Sequence, residues 1–331
     1  MKAFLVTFVT LVCIATARDA ALPIAGAPAP PKDLEVVWVA PTNNWPECLW
    51  VYRVVPQQFP EPVVSNLLRI ASFAMSDRTN VPPAFADHDK KALFFGILDG
   101  NQKHLAICPT LGYVDYHDPK AETDGYFHPV VGVPEQQETT RLGLKYLRML
   151  GIDLSQIATK PGTYDLDLHW ERQTTGFTDQ KTKEQVNLTN RLTVFFRRRI
   201  DGIYVGGIAL NGGVVVGFGN HSKVVELQVY WRNLKPYELD DCVSPEEITR
   251  WLKAGQVTLP PQVGPASQVR RITINQALPY YNTKFGNEPE DFVSPKVDLV
   301  AEVDNGQGTK TVIITCPILS PEPAGSSRLA H

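Results

Sequence analysis

Short runs of β-branched and aromatic residues, separated by tight-turn signals, dominate this chain. Two early runs, residues 34–40 and 49–55, are typical of strands. An Asp-Gly or Asn-Gly pair between apolar runs is a strong hairpin signal, because Gly, Asn and Asp tolerate the positive φ that such turns need. These pairs are Asp99-Gly100, Asp201-Gly202, Asn211-Gly212 and Asn305-Gly306. No succession of strands and long helices follows, so the sequence argues against a parallel α/β sheet.

Three segments whose apolar residues recur at helical spacing interrupt the predicted strands. Residues 60–75 begin with a proline suited to a first turn, and residues 141–150 follow a polar lead, Glu135 to Thr140, and end at Gly151. The third helix has a capping box, with Ser244 as N-cap and Glu247 at the third helical position. We therefore predict an α+β fold of antiparallel meander sheets, each packed by a helix. Its two related helix–meander halves would be residues 34–134 and 135–320.

The two ends of the chain have a different composition. Residues 1–17 join a positive residue, an apolar core and a small-residue site, Ala15-Thr16-Ala17, which is typical of a secretory signal peptide. Its removal leaves 314 residues without a membrane span, so we predict a secreted protein. Residues 18–33 are an Ala/Pro-rich leader, and residues 321–331 are predicted to form a flexible tail.

Charge excludes one class of partner. The formal net charge is −3, and a nucleic-acid-binding protein would normally carry a basic surplus. The densest basic run, residues 197–199, lies inside an apolar strand and is interpreted as a solvated strand edge.

The predicted secretion determines how the cysteines and the glycosylation sequons are interpreted. With Cys13 in the signal peptide, four cysteines remain, and an even number in a secreted chain predicts two disulfides with three connectivities open. We favour Cys48–Cys108 and Cys242–Cys316, because each pair closes within one half of the chain. No Cys-x-x-Cys pair indicates a zinc or redox site. Asn187 and Asn220 both begin N-glycosylation sequons.

Two sets of polar residues are candidates for chemistry. The strand-like segment DLDLHWER places four of its polar side chains on one face, where they suit general acid/base work or a metal. The second set, a weak metal candidate, combines a strand with the loop beyond it. A wet strand face explains the same alternation without any chemistry. The first set is Asp165, Asp167, His169 and Glu171; the second is Asp115, His117 and His128, with Asp124 nearby.

The region from about residue 141 to 255 resembles a PepSY-type module. The resemblance rests on LRMLGI, DLHWER, RLTVFFRRRIDGIYVGG, SKVVELQVYWRNL and CVSPEEITRWLKAG. The segment DFVSPKVDLVAEV is similar to the closing strands of extracytoplasmic regulators of the YycH/YycI type. Such modules also occur in peptidase propeptides, so the resemblance implies an extracellular interaction or inhibitory module. Neither a His-Glu-x-x-His protease motif nor a retained membrane helix accompanies it here.

Three functions follow as hypotheses. The first is a secreted, non-enzymatic interaction or regulatory module without a cofactor, whose partner is a secreted or cell-surface protein such as a peptidase. The second is a secreted hydrolase, glycan- or metal-dependent, that uses the strand face of Asp165, Asp167, His169 and Glu171. The third is a carbohydrate-binding protein that stacks sugars on Trp38, Trp45 or Trp50.

Overall fold

The computed structural model describes residues 30–31, 33–56, 59–98, 102–121, 132–178, 182, 184–206, 212–284 and 288–320. The signal-peptide prediction, the C-terminal tail and almost all of the leader lie outside these residues, as do Asp124 and His128.

Fifteen strands and four α-helices form the described part of the chain. The helices are α1 (Glu61–Ala71), α2 (Pro83–Ala86), α3 (Gln136–Met149) and α4 (Pro245–Lys253). The strands are β1 (Glu35–Trp38), β2 (Cys48–Val55), β3 (Leu93–Gly96), β4 (His104–Cys108), β5 (Tyr113–His117), β6 (Leu168–Thr178), β7 (Gln185–Arg197), β8 (Arg199–Ile200), β9 (Ile203–Val205), β10 (Gly213–Phe218), β11 (Val224–Tyr230), β12 (Asn233–Asp241), β13 (Arg271–Asn282), β14 (Phe292–Asp304) and β15 (Thr309–Pro317). No described helix is long and apolar enough to cross a membrane.

The eight-stranded sheet joins the two ends of the chain. Its main path runs β12-β2-β14-β13-β9-β8, with β1 beside β13 and β15 beside β14. Strand β1 pairs with β13 in parallel, so that Glu35 lies opposite Arg271. One face packs on α4, whose Ile248 and Leu252 are buried among the aliphatic residues of β13, β14 and β15.

The seven-stranded sheet is antiparallel throughout and runs β3-β4-β5-β11-β10-β7-β6. One of its faces is apolar and is covered by α1 and α3, which contribute Leu67 and Leu147 to the largest core cluster. Alternate residues along each strand therefore point away from these helices.

The predicted fold class is wrong. The described protein is mostly β, with two large sheets and few helices. Both sheets draw strands from residues 34–134 and from residues 135–320: β1 and β2 join the first sheet, and β3, β4 and β5 join the second. Pairing between strands distant in sequence thus overrides the local order of elements on which the prediction relied.

Several helix ends and turns that were predicted from short sequence motifs are present in the structure. Helix α4 begins after Ser244, whose Oγ accepts the N–H of Glu247 at 3.2 Å, as the capping box predicts. Asp201 and Gly202 both have positive φ, 49° and 78°, and connect β8 to β9. Helix α1 starts directly after Pro60, and α3 ends just before Gly151, whose φ is 71°.

Candidate functional site

The face of the seven-stranded sheet opposite α1 and α3 is the best candidate for a functional surface; we call it the polar face. Strand register defines its side chains, because directly paired residues point to the same side. Residues of the other parity, such as Leu105, Leu227 and Val194, belong to the apolar core. One row across the polar face is His104, His117, Glu226, Gly217, Thr193 and Glu171. The next row is Ala106, Asp115, Gln228, Val215, Phe195 and His169.

The register thus brings both sequence-predicted sets to one face, but it keeps them apart. Asp115 and His117 lie on β5, whereas His169 and Glu171 lie on β6, four strand spacings away. At about 4.8 Å per spacing, roughly 19 Å separates the two strands. Side chains so far apart cannot act on one reacting atom.

A fixed imidazole occupies the β4–β5 end of the polar face. His104 is only 7% exposed, and its Nε2 lies 3.3 Å from Oδ2 of Asp115. The Phe94 ring stacks on it with centroids 6.1 Å apart, and the His117 ring stands edge-on at 6.2 Å. Contacts on three sides hold the orientation of His104.

Two phenols lie near Asp115, the partner of this imidazole; Tyr113 is buried and Tyr230 is half-buried. The rings of Tyr113 and Tyr230 are 5.4 Å apart, and the Tyr230 hydroxyl donates to Oε1 of Gln228 at 2.9 Å. Burial first, and then the Asp115 carboxylate, raise the pKa of both tyrosines far above the usual value. Both phenols therefore stay protonated at any physiological pH, and neither is a nucleophile.

An ion pair bridges the middle of the polar face. Nη1 of Arg191 lies 3.3 Å from Oε2 of Glu226, and both side chains are largely shielded from water. Between them lies Gly217, where an added Cβ would stand 3.2 Å from Cδ of Arg191 and 3.1 Å from Cβ of Glu226. The absence of a side chain at Gly217 gives these two residues room to meet.

The four residues of the first predicted set lie in β6 or just before it, at one end of the polar face. Asp165 is exposed and precedes β6, so it does not share the strand face. Asp167 is already engaged: the Tyr204 hydroxyl donates to its Oδ2 at 2.5 Å, and Nη1 of Arg197 lies 3.6 Å away. His169 and Glu171 are exposed, with the His169 ring 5.3 Å from that of Phe195.

These contacts show what the face can and cannot do chemically. No three or more His, Cys, Asp or Glu residues within the described ranges converge as metal ligands. The pairs His104–Asp115, Arg191–Glu226 and Arg197–Asp167 lie apart on the face, so these charged groups do not meet at a common point.

The cysteines do not form the predicted disulfides. All four described thiols are free; Cys48 is exposed, Cys242 is half-buried, and Cys108 and Cys316 are buried. Cys48 and Cys108 lie in different sheets. Burial is the main cause that raises the pKa of Cys108, Cys242 and Cys316 to about 12, so these three thiols are poor nucleophiles.

The tryptophans that suggested sugar stacking contribute to the packing of the eight-stranded sheet. Trp38 and Trp45 meet edge to face with centroids 6.0 Å apart. Their Nε1 groups donate to Oγ1 of Thr249 at 2.7 Å and to the carbonyl of Val243 at 2.8 Å. Trp50 packs beside Tyr52 in a separate apolar cluster. None of the three belongs to the large exposed apolar residues of the described chain.

The sequence analysis did not predict a cluster of buried charged residues that lies between the two sheets. Arg198, which we interpreted as part of a solvated edge, is 4% exposed; it lies over the Trp231 ring and donates to the Arg232 carbonyl at 2.7 Å. Nε of Arg232 is 3.0 Å from Oε1 of Glu290, and its Nη2 donates to the carbonyl of Glu288 at 2.7 Å. Arg198 and Arg232 line a small niche at this point. An arginine inside an apolar run was the available signal, because such a residue can be buried if it is paired.

Comparisons with known proteins add no functional information. No family model matches the chain, and no curated protein is significantly similar. The structure resembles the crystal structure of an uncharacterized protein from Eubacterium rectale, with 13% sequence identity and a TM-score of 0.43. That match covers 86% of this chain and 87% of the other.

Proposed function

We propose that this chain is a secreted, non-enzymatic binding module that holds a partner protein on its polar face. The observation that carries the proposal is the spread of paired polar and aromatic side chains over one sheet face whose opposite side is sealed by α1 and α3. Pairing within the face fixes these side chains before a partner arrives, which reduces the entropy lost on binding. The resemblance to PepSY-type modules favours the same class of function.

The size of the face sets the strength expected of the complex. Near β3, β4 and β5 the face is closed, because Ala106, Cys108 and Tyr113 belong to a buried apolar cluster. Its exposed side chains lie toward β6, where His169 and Glu171 are open to solvent, so the free area is well below the roughly 800 Å² that one partner buries in a standard interface. We therefore expect a transient complex of micromolar affinity unless the partner also contacts the β6–β7 hairpin.

The test compares two charge reversals on opposite sides of the same sheet. Glu171→Lys alters an exposed residue of the polar face, and the matched control, Lys145→Glu, alters an exposed residue of α3. Both variants should fold, because neither side chain is buried. The immobilised protein is incubated with secreted and cell-surface proteins and with a panel of purified peptidases. Bound partners are then quantified by mass spectrometry.

A partner that binds the unmodified protein should be retained by Lys145→Glu and lost at least tenfold by Glu171→Lys. A photo-crosslinking residue at position 169 should form an adduct with the same partner. Equal retention by both variants would reject the polar face as the binding surface. Turnover of a substrate by the purified protein that disappears in a His169→Ala variant would favour the hydrolase instead.

A further inference from the structure

The two buried arginines lie where the chain crosses from one sheet to the other. Arg198 stands between β7 of the seven-stranded sheet and β8 of the eight-stranded sheet. Arg232 lies in the short link between β11 and β12, which makes the same crossing. Nη1 of Arg198 donates to the carbonyl of Arg232 at 2.7 Å, so the two crossings are in direct contact. A charge placed here therefore acts on both of these crossings.

The charges at this junction do not balance. Glu290 is paired with Arg232, with 3.0 Å between Oε1 and Nε. Arg198 has neutral acceptors instead, Oε1 of Gln156 at 2.9 Å and the Arg232 carbonyl, and no ion pair among the described residues includes it. Burial lowers the pKa of Arg198 to about 10, so the guanidinium stays charged at neutral pH. Two buried cations thus have one carboxylate between them, and a buried charge without a counter-charge is costly.

The niche beside these arginines has a cationic lining. Three of its eight described lining residues are cationic: Arg198, Arg232 and Lys284. None of the eight is acidic, and Thr283 and Tyr230 are the neutral polar members. The niche has room for about one water-sized body. This combination suits a single small anion, whereas a phosphate or sulfate group is too large.

One hydrogen-bond donor of Arg232 lacks an acceptor. Nε of Arg232 approaches Glu290, and Nη2 donates to the carbonyl of Glu288 at 2.7 Å. Nη1 is sealed from solvent and has no hydrogen-bond partner among the described residues. Buried donors in native proteins are nearly always satisfied, and an ion or a water molecule commonly does so where no protein acceptor is present.

We propose that this niche binds one small halide ion, normally chloride, held by Arg198 and Arg232. A halide accepts hydrogen bonds from several donors and also neutralises the surplus positive charge, whereas water only accepts. The bound ion links the two crossings and stabilises the packing of one sheet on the other. Because the unfolded chain does not bring these arginines together, the ion binds the folded state alone and raises its stability.

The experiment measures thermal unfolding of the full chain at constant ionic strength while sodium chloride replaces sodium gluconate, whose anion is too large for the niche. The melting temperature should rise saturably, by about 5 °C when chloride reaches a hundred times its dissociation constant. Bromide replaces chloride and scatters anomalously. A crystal soaked in sodium bromide should therefore show an anomalous peak in contact with both guanidinium groups.

Three variants separate this site from general effects of salt. Arg198→Gln removes one of the two buried cations. Leu234→Phe fills the niche but keeps both arginines, and because Leu234 is only half-buried this variant should fold even if the first does not. Both niche variants should melt at the same temperature in chloride and in gluconate. Arg250→Met changes an exposed arginine of α4 and should keep the full response to chloride.

Three results would overturn the proposal. The first is an equal melting temperature of the unmodified protein in the two salts. The second is a bromide-soaked crystal with water alone in the niche. The third is a response to chloride that either niche variant retains in full, because such a response would come from the salt and not from the site.

Discussion

Replacing Arg232 by methionine tests whether the buried ion pair between the sheets holds this region together. Arg232 and Glu290 are each 6% exposed on their side chains, with Nε and Oε1 3.0 Å apart. The substitution keeps an apolar stem but leaves the Glu290 carboxylate without its cation. It also leaves the carbonyl of Glu288 without the donor that holds it at 2.7 Å. Breaking a buried pair in this way costs about 3–5 kcal/mol of unfolding free energy.

The assay is thermal unfolding followed by circular dichroism. At about 2 °C per kcal/mol for a chain of this size, Arg232→Met should melt about 6–10 °C below the unmodified protein. The double variant Arg232→Met/Glu290→Gln removes the orphaned charge, so it should recover part of the loss. The control, Arg250→Met, breaks the exposed pair with Glu247 on α4 and should cost under about 1 kcal/mol.

The dependence on pH gives an independent check. Burial raises the pKa of Glu290, and the Arg232 charge opposes that shift. Because its folded-state pKa is raised, the Glu290 carboxyl does not lower the free energy of unfolding at a pH below its unfolded-state pKa. As the pH rises toward the folded-state pKa, the carboxyl lowers that free energy progressively. Without Arg232 the folded pKa rises further. The melting difference between the variant and the unmodified protein should therefore widen from pH 4 to pH 8, and a constant gap, or one below 2 °C, would refute the reasoning.

Three further changes test other parts of the structure. Ser244→Ala removes the acceptor for the Glu247 N–H and should lower the unfolding free energy by about 1 kcal/mol in urea denaturation, whereas Ser244→Asp should not. Gly143→Ala would place its Cβ 2.6 Å from the buried Phe196 ring, so overpacking of about 1–3 kcal/mol should outweigh the helix-propensity gain and lower the melting temperature. Asn187 is exposed and Asn220 is half-buried, so intact-mass analysis after expression in a glycosylating host should show one glycan that Asn187→Gln abolishes.

The sequence predicted features that depend on a few neighbouring residues. The capping box at Ser244 and the turn at Asp201-Gly202 are examples, because a cap or a turn is determined by groups within four positions of one another. The strand face of His169 and Glu171 was also predicted, since alternation in the sequence directly reports alternation in space.

Features that depend on distant pairing could not be predicted in the same way. Nothing near Glu35 indicates that its strand will lie parallel to one that starts at Arg271. The burial of Arg198 depends on Gln156, which accepts from its Nε at 2.9 Å, and on the Arg232 carbonyl.

The way the eight-stranded sheet joins both ends of the chain has a consequence for synthesis. Strands β1 and β2 are made first, yet their partners β12, β13 and β14 come from the last third of the chain. The seven-stranded sheet, in contrast, has all its strands once residue 230 has been made. During synthesis the N-terminal strands must therefore wait unpaired while the other sheet assembles. Such non-local closure is slow, so the nascent chain stays incompletely folded until its C-terminal strands have been made.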